Sequence, residues 1–186
     1  MKNIILATAM MLSAFAMACE KDDKNISEPD SIECPGNPRA NVSASLQGKW
    51  MYGNFSMTEY WSTNPSTYLG NALQFAIAFK FNANGTYEQY FTSSSVIGGI
   101  TTYQQSVTKG TVVIDEVNKT IKTYACSAHY KRTRNGQTIE ERDLAKSELT
   151  AITNYTYNSG VEGNGTRVIH LTLGGTGNPL SFLFKL

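Results

Sequence analysis

The side chains able to do chemistry are few and widely spaced: Cys19, Cys34 and Cys126, His129 and His170, and a scatter of carboxylates. A metal site needs three or four convergent ligands, and neither histidine has a cysteine or carboxylate at ligand spacing. No G-x-S-x-G elbow marks a nucleophile. The glycine-rich run from Leu173 to Pro179 lacks the following helix and the lysine of a phosphate cradle, so it reads as a turn. Glu88, Asp115, Glu140, Glu141 and Glu148 offer carboxylate pairs of the glycosidase kind, as any chain of this size does. The expectation is a protein without a catalytic constellation, metal site or cofactor. Cys34 and Cys126 leave two states open: a bridge, or two separate thiols of which one packs as a small apolar side chain. Spacing alone cannot establish the Cα proximity that a bridge requires.

The elements that would position these residues are strands. From Leu73 to Phe81 the large apolar residues Leu73, Phe75, Ile77, Phe79 and Phe81 fall on odd positions, a period of two and hence one buried face. Asn84-Gly85 is a hairpin signal, and Thr86–Phe91 returns as the partner strand. Gly98-Gly99 and Asn135-Gly136 mark further turns around β-rich runs at Val107–Asp115 and Thr120–Arg132. Arg167–Leu173 alternates, as does Leu180–Leu186 on its even positions. The stretch Ile139–Leu149 holds a run of charges and reads as a helix candidate, a solvated loop or a strand edge, and a short helix fits Thr63–Ala72. Eight to ten short strands at this spacing predict an all-β sandwich or barrel.

Charge excludes one class of partner. The 16 basic side chains include Lys2, and residues 1–18 hold no acid, so the chain from Cys19 onward carries 15 basic against 15 acidic groups. Nucleic-acid binders show a basic surplus or patch, and none is present in the sequence. The N-terminus reads as a leader: Met1-Lys2 is positive, Ile4–Phe15 is apolar apart from small polar residues, and Ala16-Met17-Ala18 offers the small side chains of a cleavage site. A membrane span needs roughly 20 apolar residues, more than this run supplies. Residues 20–44 carry mixed charge and the prolines Pro29, Pro35 and Pro38, with almost no large apolar residue, and read as a flexible tether.

Cleavage between Ala18 and Cys19 fits an ordinary A-x-A site, yet Ala16-Met17-Ala18-Cys19 also resembles a bacterial lipobox, with Ala16 where the usual motif has leucine. Cys19-Glu20-Lys21-Asp22-Asp23-Lys24 looks like the acidic surface-export signal of Bacteroidota lipoproteins. That resemblance implies a thioether-linked diacylglyceryl group and an N-acyl chain on Cys19, more than the two signals that stable anchoring requires. It implies an outer-membrane protein displayed on the cell surface. Gly48-Lys49-Trp50 resembles the G-x-W signature of lipocalins, and Phe79–Tyr87 looks like the F-x-F-x-x-x-G-T-Y hairpin of lipocalin-like bacterial lipoproteins.

The resemblance covers Leu46–Leu186 and implies an up-and-down antiparallel β-barrel of about eight strands, with Gly48 at a close approach and Trp50 plugging the closed end. Lipocalins set an arginine against this tryptophan near the last strand, where this sequence has Lys185. The domain division is a leader over 1–18, a lipidated tether over 19–44 and a barrel over 45–186. If Trp50 points inward, parity sends Tyr52, Asn54 and Ser56 the same way. With Phe75, Ile77 and Phe79, Tyr52 would then line a pocket for a small apolar or amphipathic ligand. The other function reading is a solid-packed module that binds a protein partner. Cys19→Ala is expected to move the protein from the membrane to the soluble fraction, and recovery of the variant in membranes would refute the anchor.

Overall fold

The computed structural model describes Ile32, residues 34–53 and residues 73–185, the side chains of Leu73 and Gln74 excepted. Ala18, Cys19, Asn54, Ser56 and the helix expected over 63–72 lie outside the described residues. The strands are β1 (Gly48–Tyr52), β2 (Leu73–Phe81), β3 (Thr86–Ile97), β4 (Ile100–Asp115), β5 (Thr120–Arg134), β6 (Gln137–Asp143), β7 (Ile152–Val161), β8 (Arg167–Leu173) and β9 (Leu180–Lys185). They form a single sheet ordered β4-β3-β2-β1-β9-β8-β7-β5-β6, and a further pairing of β4 with β5 closes it. Eight strands thus make a barrel-like ring, all-β and antiparallel throughout, with β6 hydrogen-bonded outside it to β5. Consecutive strands are neighbours everywhere except at β6, so the topology is up-and-down.

Turn chemistry explains most of the meander. Gly98-Gly99 joins the paired Ile97 and Ile100, and Asn135-Gly136 joins the paired Arg134 and Gln137, the two-residue loops of tight hairpins. The Asp115 carboxylate accepts from the Val117 and Asn118 amides and holds the β4–β5 turn. Of the three readings of Ile139–Leu149, the strand edge is the one that forms: β6 ends at Asp143, and a single 3-10 turn follows at Lys146–Glu148. A helix would leave the open edge of β5 above Ser127 unpaired.

Inward parity follows the alternation. Trp50, Phe79, Phe81, Val112, Ile121, Ile169, Leu171 and Phe182 are buried in one cluster, with Ile77 and Tyr52 packed on it. Phe79 stacks on Phe81 at 5.5 Å and meets Phe182 at 5.5 Å and Tyr155 at 5.7 Å, so aromatic rings fill this half of the ring. Burial is not confined to that face. Met51, Ala76, Ala78 and Val107 form a second cluster with Tyr90 on the opposite face, where Thr92, Gln105 and Thr133 are also buried. The alanines alternating with large residues in β2 are therefore packed positions, which a period-two reading assigns to solvent.

One compact unit begins at Ile32. Residues 38–46 cross one end of the ring: Ala40 N–H donates to Val112 O, Val42 N–H to Ala83 O, and the Thr111 hydroxyl to Pro38 O. Val42 and Leu46 enter the core from this strap. Trp50 donates its indole N–H to Leu46 O at 2.8 Å, which satisfies the one polar atom of a buried ring. Gly48 adopts φ +103°, and a Cβ there would fall 2.7 Å from the Phe184 ring, so glycine is required.

One expectation is corrected at this end. The cation against Trp50 is Arg167, the first residue of β8. Its guanidinium lies 5.0 Å from the Trp50 ring and 4.3 Å from the Phe184 ring and donates to Ser45 O. Lys185 instead pairs across the β1–β9 ladder with Lys49 and is exposed. The arginine comes from the penultimate strand because β8 runs antiparallel to β9, bringing the start of β8 level with the end of β9. Arg167→Ala should lower unfolding free energy by about 1–3 kcal/mol through lost cation–π and charged hydrogen-bond contacts. Lys185→Ala should stay within about 0.5 kcal/mol. Urea midpoints of the two variants check this, and equal losses would remove Arg167 from the role.

Candidate functional site

The site begins at an irregularity in β5. Lys109 pairs with Ser127 and Gly110 with Ala125, so Cys126 is an extra residue with no partner in β4. Such a bulge bends its strand and interrupts pairing. Below it, β5 pairs with β7 from Thr120 to Tyr124; above it, with β6 from His129 to Arg134. The Ala125 N–H reaches Ala151 O and the Leu144 N–H reaches Ala128 O, so the β6–β7 connection leaves and rejoins β5 on either side of the bulge. Cys126 is disulfide-bonded to Cys34, with Cα atoms 5.7 Å apart. The Asn37 amide donates to its sulfur.

Between that connection and the inward face of the sheet lies a cavity of about 230 Å³. Its floor is Tyr87 and Gln89 of β3 with Ser106 and Thr108 of β4; Ala125 and Ala128 of β5 leave the space; Thr153 and Tyr155 of β7 close the side. The roof is Leu144, Glu148, Leu149 and Thr150. Gly110, beside this floor, has no room for a side chain, since a Cβ would fall 2.1 Å from Tyr124 O and 2.7 Å from the Tyr87 ring.

Burial pushes both phenols up to about 12, the neighbouring Tyr87 adding to the effect on Tyr155, so each stays a neutral hydroxyl at physiological pH. With Gln89, Ser106, Thr108, Thr150 and Thr153 they present uncharged donors and acceptors on a partly apolar surface. Glu148 is the charged side chain of the lining, and Arg142 occupies it through two hydrogen bonds of 2.8 Å each. The Ala145 amide adds a third at 2.8 Å. These contacts hold the Glu148 carboxyl down at about 2, far from the range of a general acid or base at neutral pH. Arg142 also bonds Glu140, which bridges to Arg132 at 3.0 Å, so the roof is tied to β5 and β6 by a chain of ion pairs. The arrangement can hold a small uncharged molecule by hydrogen bonds and apolar contact.

None of the four pocket residues read from parity lines this cavity. Phe79 is buried in the packed core and Ile77 packs against it. Tyr52 is half-buried, with its ring 5.3 Å from Phe75 and 5.8 Å from Phe182. Phe75 stands at the rim, 44% exposed. Parity placed them on the inward face, but three-dimensional packing fills that half of the ring. Sequence reasoning missed Gln89, Thr108 and Ala128, whose shared site depends on three strands and the bulge; Tyr87 stood in the hairpin motif without an assigned role.

The histidines are hydrogen-bonded by partners from adjacent strands. His129 meets Asp143 at 2.7 Å and Glu141 at 3.5 Å, and Lys131 reaches Glu141 at 3.1 Å. His170 meets the Ser181 hydroxyl at 2.8 Å. No group of three or more metal-ligating side chains converges among the described residues. No protein-family model matches the chain, and no curated protein shows significant similarity to it.

The clamp on the roof has a pH signature. The folded Glu148 carboxyl sits below its ordinary value of 4.5, so its contact is complete above that value and is lost as pH falls through about 2. In Arg142→Gln the Glu148 midpoint should rise toward the ordinary carboxylate range and the Ala145 amide should exchange faster. Carboxyl-carbon NMR titration with hydrogen exchange checks both; an unmoved midpoint would remove Arg142 as the cause.

Proposed function

We propose that this protein is a lipid-anchored, lipocalin-like lipoprotein of the outer membrane that holds a small amphipathic molecule inside its barrel and does no chemistry on it. The cavity beside the β5 bulge carries the reading: its phenols, hydroxyls and amide carbonyl or amino group can orient one polar end, while Ala125, Ala128, Leu144 and Leu149 receive an apolar part. Its volume, about 230 Å³, lies just under the roughly 300 Å³ where drug-sized sites begin. That corresponds to roughly seven or eight waters at liquid density, so the occupant is smaller than a fatty acid. The anchor reading rests on the Ala16–Lys24 sequence, and the lipocalin likeness on Gly48, Trp50 and the Phe79–Tyr87 hairpin.

The packed aromatic half of the ring favours a second reading, in which the barrel is a rigid scaffold for a protein partner. Native mass spectrometry of protein purified from its own host separates the two. A carrier should show a reproducible adduct of roughly 100–250 daltons, the bulk a cavity of this size admits. Ala128→Phe, which fills the cavity from β5, should abolish the adduct while near-ultraviolet circular dichroism stays unchanged. A clean apo mass for the parent protein would sink the carrier reading.

A further inference from the structure

From Gln89 to Thr108 the β3–β4 hairpin contains no charged residue, and its tip is apolar. Val96, Ile97 and Ile100 are 37%, 77% and 44% exposed around the Gly98-Gly99 turn. Among the described residues the tip projects beyond its neighbours in the sheet. β2 begins with Leu73 opposite Ser95, and β5 ends with Arg134 opposite Thr102. The Asn135 side chain and amide reach Thr101 and mark the last lateral contact among the described residues. Val96 and Ile97 separate Ser95 from the turn, so Gly98 lies about 10 Å beyond Ser95 at roughly 3.3 Å per residue. Exposed apolar hairpin ends are an aggregation hazard in water unless something receives them.

We propose that this tip inserts into the headgroup–acyl boundary of an anionic bilayer, the membrane that carries the anchor. Its projection matches the roughly 5–10 Å depth of interfacial apolar elements. The absence of charge over twenty residues means that no ion is desolvated on entry. Arg134 is exposed opposite Thr102, at the height where phosphate headgroups would lie. Reach also permits it. The staple at Cys126 lies beside the Lys109–Ser127 pair, nine residues from Ile100 along β4, or about 31 Å. Cys19 is fifteen residues from Cys34, a contour of up to about 50 Å. An anchored chain can therefore lay its own hairpin on the same surface. The choice of membrane rests on the anchor reading of Cys19, whereas insertion itself does not.

The test uses the full chain carrying Cys19→Ala, purified without lipid, and vesicles of equal parts phosphatidylcholine and phosphatidylglycerol. The protein should float with the vesicles. Ile97→Ser and Ile100→Ser should each weaken binding about tenfold, the transfer cost of one exposed aliphatic side chain, with circular dichroism unchanged. Ile97→Trp should keep binding and show added emission that is quenched by brominated lipid. Arg134→Gln should weaken binding a few-fold on these vesicles and not on pure phosphatidylcholine. A parent protein that stays in the soluble fraction, or serine variants that float as well as the parent, would overturn the proposal. So would a parent that ignores vesicles but cross-links through its tip to an envelope protein. None of these results bears on the anchor, which is read separately from membrane fractionation of the Cys19 variant.

Discussion

Between Ala125 and Ser127, β5 carries one residue more than β4 can pair, and the strand's other edge changes partner at the same level. Backbone donors and acceptors must be satisfied wherever water is excluded, so a strand that loses β7 must gain β6. The change of partner decides where the ring closes and opens a gap for the β6–β7 connection. It turns a packed interior into one with a cavity. Gly110 makes the junction possible, because a side chain there would collide with both Tyr124 and Tyr87. The disulfide attaches at the residue the bulge leaves over, so one irregularity sets the cavity, the roof and the fixing point of the N-terminal strap.

Polar groups are distributed to suit that division. Aromatic rings occupy the strapped end, where Trp50 needs a single acceptor and finds it in Leu46 O. Hydroxyls and amides line the cavity, and the ion pairs cluster on the β5–β6 pair and the roof, with Lys80–Glu88 across β2 and β3 standing apart from them. Lys131 is buried and retains its charge partner in Glu141 across the ladder, the condition under which a buried ammonium is tolerated. Edge strand β6 carries Glu140, Glu141, Arg142 and Asp143 in succession, and charge along an open edge discourages pairing with another chain.

What was legible in the sequence is what depends on short-range pattern. Alternation in β2, β8 and β9 and the Asn-Gly and Gly-Gly turns located those strands and their hairpins. The charged run at Glu140–Asp143 suited strand, loop and helix equally, and only the hydrogen-bonding demand of β5 chose between them. Arg167 stands 117 residues from Trp50 along the chain, so no spacing rule links the two; the resemblance named an arginine, but the sequence near the last strand offered only Lys185. The cavity was illegible for a related reason. Its lining is made of common residues, and what creates it is the smallness of Ala125 and Ala128 beside a bulge that no period reveals. The second buried face was invisible because alanine is as common on surfaces as in tightly packed layers.

The link between Cys34 and Cys126 also sets how the domain bears mechanical load. Tension applied to the chain ahead of Cys34 passes through the sulfur–sulfur bond into the middle of β5, which is laddered to β4 on one side and to β6 and β7 on the other. The strap from Pro38 to Leu46 lies outside that force path. Without the link, the same pull would peel the strap from its end, breaking the Ala40 and Val42 hydrogen bonds one at a time before withdrawing Val42 and Leu46 from the core. The bond thus converts a sequential unzipping into a shear on several ladders at once, which gives way at much higher force, and it makes the domain's resistance to drag a function of the redox state around it.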